Sequence, residues 1–171
     1  MVRVFQAEAA ADLRAARGLM REYGAFISSK LGAEHVCKAS LEEEIVDAAK
    51  IYAAPRGFLL LACCGGLPEP CGCLALRPLP SRPAEAAEIK RLWVRPECRG
   101  HEAGAALLDR ALELAGELGY ARVVLDTVPA AMPAAVKLYL SRDFNPTTRF
   151  NDNSIPGIVF YCRDLSPRGT P

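Results

Sequence analysis

Apolar positions follow two rhythms along the chain. Leu13, Ala16, Met20, Tyr23 and Ile27 are spaced three and four apart, which predicts one buried helical stripe, with Asp12 as its N-cap. Ser40-Leu-Glu-Glu43 reads as a capping box and predicts a second helix to about Ala49. The run GFLLLACC from Gly57, the turn residues Gly65 to Pro70 and the run CGCLALRPL predict a hairpin of two buried strands. EIKRLWVRP alternates as a strand. A glycine-punctuated loop then leads into AGAALLDRALELAGELG, whose Ala/Leu stripe and closing Gly119 mark a helix.

Val2 to Gln6 opens the chain as a short strand, and RVVLDT reads as another. Pro133 starts a helix through AAVKLYLSRDF, and IVFYCRDL alternates as the last strand. The order is strand, two helices, three strands, helix, strand, helix, final strand. That is an α/β chain with a meander first and βα units second, in which a ligand lies off the strand ends. At 171 residues it makes one domain, 1–165, followed by a disordered-looking tail, 166–171.

Composition narrows the class further. Apolar residues make up 51% of the chain and net charge is +1, a globular profile with nothing directed at nucleic acid. No apolar stretch approaches a signal peptide core or a membrane span, so a cytoplasmic location with no membrane partner is expected. Seven cysteines, several crowded into apolar runs, suit reduced buried thiols. Cys64, Cys71 and Cys73 could approach across the hairpin as metal ligands, but the second CxxC pair of a zinc site is missing, and no metal is expected.

Basic residues concentrate only at Lys90, Arg91, Arg95 and Arg99, around the loop that precedes the Ala/Leu helix. Glycines and arginines delivered onto a helix N-terminus offer unpaired N–H groups and the positive end of the helix dipole, the makings of a phosphate or pyrophosphate seat. The same spacing also fits an ordinary strand-to-helix turn with a solvated charge pair.

Leu92-Trp-Val94 followed by Arg99-Gly100-His101-Glu102-Ala103-Gly104 resembles motif A of the GNAT superfamily of N-acetyltransferases, a Leu-x-Val strand and then Arg-Gly-x-Gly-x-Gly/Ala opening a helix. The resemblance extends over nearly the whole chain. EIKRLWVRPECRG, RVVLDT, AAVKLYLSRDF, the FNDNSIPG turn and the approach YAAPRGFLLLA are similar to a bacterial-type small-molecule subgroup. It implies a GNAT fold, a mixed, mostly antiparallel central sheet flanked by helices, and acetyl transfer from acetyl-CoA to a primary amine of a small molecule by direct attack. It also implies that Leu92, Trp93 and Val94 line the pantetheine arm and that Arg99, Gly100, His101, Glu102, Ala103 and Gly104 hold the pyrophosphate. Many such folds pair through a sheet edge or helices, which makes a homodimer a candidate assembly.

The reaction needs a base for the amine, donors for the oxyanion and an acid for the departing thiolate. The resemblance assigns the acid to Tyr139, which the helical spacing alone also accommodates as a core aromatic. The Val94 N–H is the oxyanion candidate. Glu88 is the base candidate, acting directly or through a water, with Asp126 as runner-up; an E-x-K strand pair with Lys90 is the plainer reading of Glu88. Lys90 and Arg91 either position an acidic substrate group or are edge charges. His101 and His35 are the two histidines, and His101 reads as a solvent-facing loop side chain. Cys98 reads as an exposed thiol.

Two departures stand out. Glu102 replaces a motif glycine and adds a Cβ and a negative charge at the anion seat. Pointing inward it competes with CoA and leaves a catalytically silent binding module; pointing outward it caps the helix start. Asp143 stands where the family has glycine before the Phe, which makes that turn less easy.

Overall fold

The computed structural model describes residues 1–32, 38–65 and 69–165, with the side chains of 38–40 excepted. His35, the hairpin tip, the tail 166–171 and the Ser40 side chain lie outside it. The strands are β1 (Val2–Gln6), β2 (Phe58–Cys64), β3 (Gly72–Pro78), β4 (Ala86–Val94), β5 (Arg122–Thr127), β6 (Asn145–Thr147) and β7 (Val159–Asp164). The helices are α1 (Ala10–Leu31), α2 (Lys38–Val46), α3 (Ala48–Ile51), α4 (Ala103–Glu117) and α5 (Pro133–Leu140). No helix among the described residues is long and apolar enough to cross a membrane.

Seven strands form one sheet in the order β1-β2-β3-β4-β5-β7-β6. Every neighbouring pair is antiparallel except β4 with β5. The sheet is covered on both faces, which is why β2 and β3 read as continuous apolar runs. Successive side chains alternate between the faces. Leu60 and Ala62 pack with Leu107, Leu108 and Ala111 of α4, whereas Leu59 and Leu61 pack with Leu19 and Met20 of α1 and Ile45 of α2.

The helix ends refine the sequence reading. Helix α1 begins at Ala10, ahead of the expected N-cap Asp12. Asp12 sits in the first turn, and its carboxylate accepts the Ala9 N–H at 3.1 Å, so it satisfies a free amide from inside the helix. Helix α2 begins two residues before Ser40, and the expected continuous helix to Ala49 is interrupted at Asp47. Gly24 is buried beneath Leu41, whose side chain fills the space a Cβ would need, so α1 and α2 approach closely there. Helix α4 ends as expected at Gly119, with φ of 81°, and the Tyr120 N–H returns to the Ala115 carbonyl at 3.1 Å.

Helix α5 stops at Leu140, short of Phe144, and Asp143 turns the chain with φ of 59°. Aspartate visits this left-handed region more readily than most side chains, so the turn survives the loss of glycine. It delivers β6, a short edge strand that the sequence pattern did not reveal because three residues are too few to show alternation.

Candidate active site

The two strands that pair in parallel separate after a few residues. β4 meets β5 only at Ala86, Ala87 and Glu88, opposite Arg122, Val123 and Val124. Beyond Glu88, β4 carries a bulge: from Cys73 to Ala75 on β3 is two residues, while their partners Trp93 and Lys90 are three apart. Arg91 lies in this bulge with φ of 59°, and the extra residue bends β4 away from β5. Past the bulge, the Arg95 N–H donates to the Cys71 carbonyl at 2.9 Å, one step beyond the Val94–Gly72 pair. Val94 is therefore in a non-hydrogen-bonded position of the β3 ladder, and its own N–H and carbonyl face the opening. The Arg99 guanidinium fills part of that demand, its Nε donating to the Val94 carbonyl at 3.0 Å.

A groove of about 690 Å³ runs along this edge, lined by Leu92, Trp93, Val94, Arg99, Gly104 and Leu138 among others. It ends at the start of α4. The first helical bond there is donated by the Ala106 N–H to the Glu102 carbonyl at 2.9 Å, and the amides of residues 100–105 reach no carbonyl among the described residues. Gly100 and Glu102 both hold positive φ, 83° and 62°. Glu102 thus adopts the glycine-like conformation that the loop requires, and its side chain is exposed. It makes no side-chain cap bond, so the expected outward role as a helix cap is not realised.

Of the four clustered cations, three have carboxylate partners. Lys90 pairs with Glu88, Arg91 with Glu44 and Arg95 with Glu22. Arg99 instead lies over Trp93 at 4.9 Å and Phe26 at 5.5 Å, on the groove wall. This leaves its charge for an anion beside the free amides. The residues present fit a CoA pyrophosphate: backbone donors, a helix N-terminus, a guanidinium without a carboxylate partner among the described residues, and apolar walls. His101 is exposed and lines a different cleft, on the far side of the loop with Met1 and Glu97. Of the loop residues expected to hold the pyrophosphate, it is the one that does not line the groove.

A second cavity, of about 470 Å³, adjoins the groove through Leu92 and Met132 and lies between the separated strands. Tyr139, Asp126 and Tyr23 line it, with Lys90 and Arg91 at its rim. Tyr139 is 5% exposed, and burial, reinforced by Tyr23 and the Asp126 charge, raises its phenol above the ordinary value. Burial raises the Tyr23 phenol as well. Asp126 accepts from the amides of Asn151 (2.7 Å) and Asn153 (3.3 Å), both on the turn before β7.

Glu88 is placed differently. It is 1% exposed and does not line this cavity. Its oxygens are taken by Arg77 at 2.8 Å, Lys90 at 3.5 Å and the Asn151 amide at 3.3 Å. The pairing with Lys90 matches the plainer reading of the sequence. Asn151 bridges the two carboxylates, donating to both Glu88 and Asp126, and Glu88 lines an adjoining cleft with Arg77, Lys90 and Asn151.

Sequence reasoning passed over Glu44. Its carboxylate takes the Arg91 guanidinium through two hydrogen bonds, Nε at 2.8 Å, and also accepts from the Tyr52 hydroxyl. Burial pushes the Glu44 carboxyl up, but Arg91 and Tyr52 outweigh it and leave it below the ordinary value. No local signal marks Glu44, because its partner lies on a strand 47 residues away.

The cysteines are also rearranged. Cys73 faces the α1 side, its thiol donating to the Arg91 carbonyl at 3.4 Å, and burial raises it to about 12. Cys64 and Cys71 face the α4 side, where Cys98 joins them. The expected trio was thus wrong in one member: Cys71 precedes β3 and shares Ala62 with Gly72 as partner, an irregularity that breaks the alternation which would otherwise put Cys71 and Cys73 on one face. Cys98 is buried at 3% exposure, not an exposed thiol.

A split mixed sheet with an anion seat at the opening defines a transferase class that feeds a phosphorylated cosubstrate between two strands. The acetyltransferase (GNAT) family model matches residues 27–144. An uncharacterized N-acetyltransferase of Schizosaccharomyces pombe is 33% identical over 127 residues, 74% of this chain and 76% of that protein. The chain belongs to the GNAT family of acetyl-CoA-dependent N-acetyltransferases. Its fold is shared with a GNAT-family acetyltransferase from Staphylococcus aureus Mu50, at a TM-score of 0.74 and 18% identity, covering 96% of this chain and 99% of that one. It is also shared with yncA from Salmonella typhimurium, solved with its cofactor acetyl-CoA, at a TM-score of 0.71 and 16% identity, covering 99% and 97%.

Proposed function

We propose that the chain acetylates a primary amine of a small molecule by direct attack on acetyl-CoA, with no acyl-enzyme. The observation that carries this reading is the cavity between β4 and β5, which adjoins the groove at Leu92 and is lined by both Asp126 and Tyr139. Its volume suits a small acceptor. No cysteine is among its lining residues, which supports direct attack by the amine over a thioester on the chain.

Acetyl-CoA supplies an activated acyl group as a thioester. Asp126, held by Asn151 and Asn153, attracts the ammonium form of the acceptor and takes its proton, directly or through a water. This moves the base role from Glu88, whose oxygens are already engaged, to the runner-up. The Val94 N–H faces the opening and donates to the developing oxyanion. Tyr139, kept protonated by burial, returns a proton to the sulfur that leaves. Leu92, Trp93 and Val94 flank the pantetheine arm, while Arg99, Gly100, Ala103 and Gly104 hold the pyrophosphate.

Release of free CoA thiol from acetyl-CoA, followed across a panel of amino acids, polyamines and amino sugars, tests the acceptor class. Turnover with at least one small amine is expected. Acetyl-CoA binding with no turnover on any small amine, alongside acetylation of peptide amines, would sink the small-molecule reading. If the chain were a silent module, neither acetyl-CoA nor CoA would raise its melting temperature.

A further inference from the structure

Three thiols from three separate segments converge behind the cofactor loop. Cys64 ends β2, Cys71 lies just before β3, and Cys98 closes the 3-10 turn at Pro96–Cys98 that leads into Arg99. Their sulfurs lie within 4.8 Å of one another, and all three residues are buried. Buried cysteines commonly serve as small apolar side chains, scattered singly through a core. Here the sulfurs face one another, and a cleft lined by Cys64, Cys98, Glu97 and His101 connects them to the surface.

We propose that Cys64, Cys71 and Cys98 form a three-thiolate site for a single zinc ion. Zinc takes four ligands at about 2.3 Å from sulfur, which sets sulfurs about 3.8 Å apart in a tetrahedron. The observed separations reach that geometry by small side-chain rotations. The fourth position opens to the cleft, where a water or the His101 imidazole completes the tetrahedron. Binding forms three zinc–sulfur bonds and releases three thiol protons to solvent, so it strengthens as pH rises. Because Cys98 immediately precedes Arg99, the ion anchors the cofactor loop from behind.

The test needs no variant at first. Purified full-length protein, reduced with a phosphine and dialysed against zinc, is expected to retain one zinc per chain after gel filtration. Cobalt in place of zinc is expected to show thiolate-to-metal charge transfer in the near ultraviolet and the visible bands of a tetrahedral centre. Cys98→Ser is expected to weaken zinc binding by about tenfold or more, whereas Cys63→Ser, half-buried on β2 outside the trio, leaves it unchanged. Sub-stoichiometric zinc, a cobalt spectrum without charge transfer, or equal affinity in Cys98→Ser and the wild type overturns the proposal.

Discussion

The groove along β4 and the cavity between β4 and β5 share Leu92 and Met132, yet they are built from different materials. The groove relies on backbone: free amides at the start of α4, the Val94 peptide facing outward, and apolar walls. The cavity relies on side chains, Asp126 and Tyr139 above all, the first held by Asn151 and Asn153 and the second packed against Phe144. A site made of backbone tolerates side-chain change as long as the chain keeps its path, and Glu102 in the left-handed conformation shows how. A site made of side chains depends on the identity of every member.

That contrast fails first if a cavity side chain proves dispensable. Tyr139→Phe removes the proposed acid and is expected to lower kcat by about a hundredfold or more, with the acetyl-CoA KM little changed. Steady-state rates in both substrates decide it, and an unchanged kcat returns Tyr139 to the core packing that its helical spacing also allows. Asp126→Asn is expected to cost about a hundredfold in kcat/KM for the amine. Glu88→Gln, in contrast, is expected to lose stability first, by about 3 kcal/mol, because Arg77 and Lys90 lose a buried counter-charge. Measuring both variants for rate and for denaturant midpoint separates the roles, and a larger catalytic loss in Glu88→Gln restores Glu88 as base.

The Glu44–Arg91 pair offers a pH handle on the bulge between the two regions. Glu44 titrates below its ordinary value of 4.5 when folded, so its stabilisation is complete above that pH and is lost as pH falls through the depressed value. Denaturation midpoints from pH 7 downward are expected to fall less steeply in Glu44→Gln than in the wild type. Parallel curves would remove Glu44 from the acid response.

The smallest effect belongs to the groove. Glu102→Gly relieves a left-handed non-glycine residue, which gains about 1 kcal/mol, offset in part by the greater freedom of glycine in the unfolded chain. CoA affinity is expected to tighten only severalfold, as one exposed negative charge leaves the neighbourhood of the phosphates. A hundredfold gain by calorimetry would show instead that the carboxylate blocks the seat.

Much of the groove was legible in the sequence. Leu92 to Val94 and Arg99 to Gly104 form one contiguous stretch, and a contiguous loop-to-helix motif exposes its chemistry in residue order. The cavity was only half legible. Tyr139 was visible through resemblance, but that Asp126 lines the cavity and that Asn151 joins it to Glu88 were set by the fold. Spacing along one strand records neither. Cys98 was read as exposed for the same reason, since nothing local places it against Cys64 and Cys71.

By itself, the sequence determined the elements other than β6 and the break between α2 and α3, the two-sided apolar sheet and the loop before α4, because helix stripes and turn glycines act over a few residues. The tertiary structure alone decided where β4 parts from β5, which cations are neutralised, which carboxylate faces the cavity and which thiols meet. Those outcomes depend on groups that the chain separates by tens of residues. Burial makes each such meeting energetically decisive, since a charge or thiol withdrawn from water takes its properties from whatever the fold sets beside it.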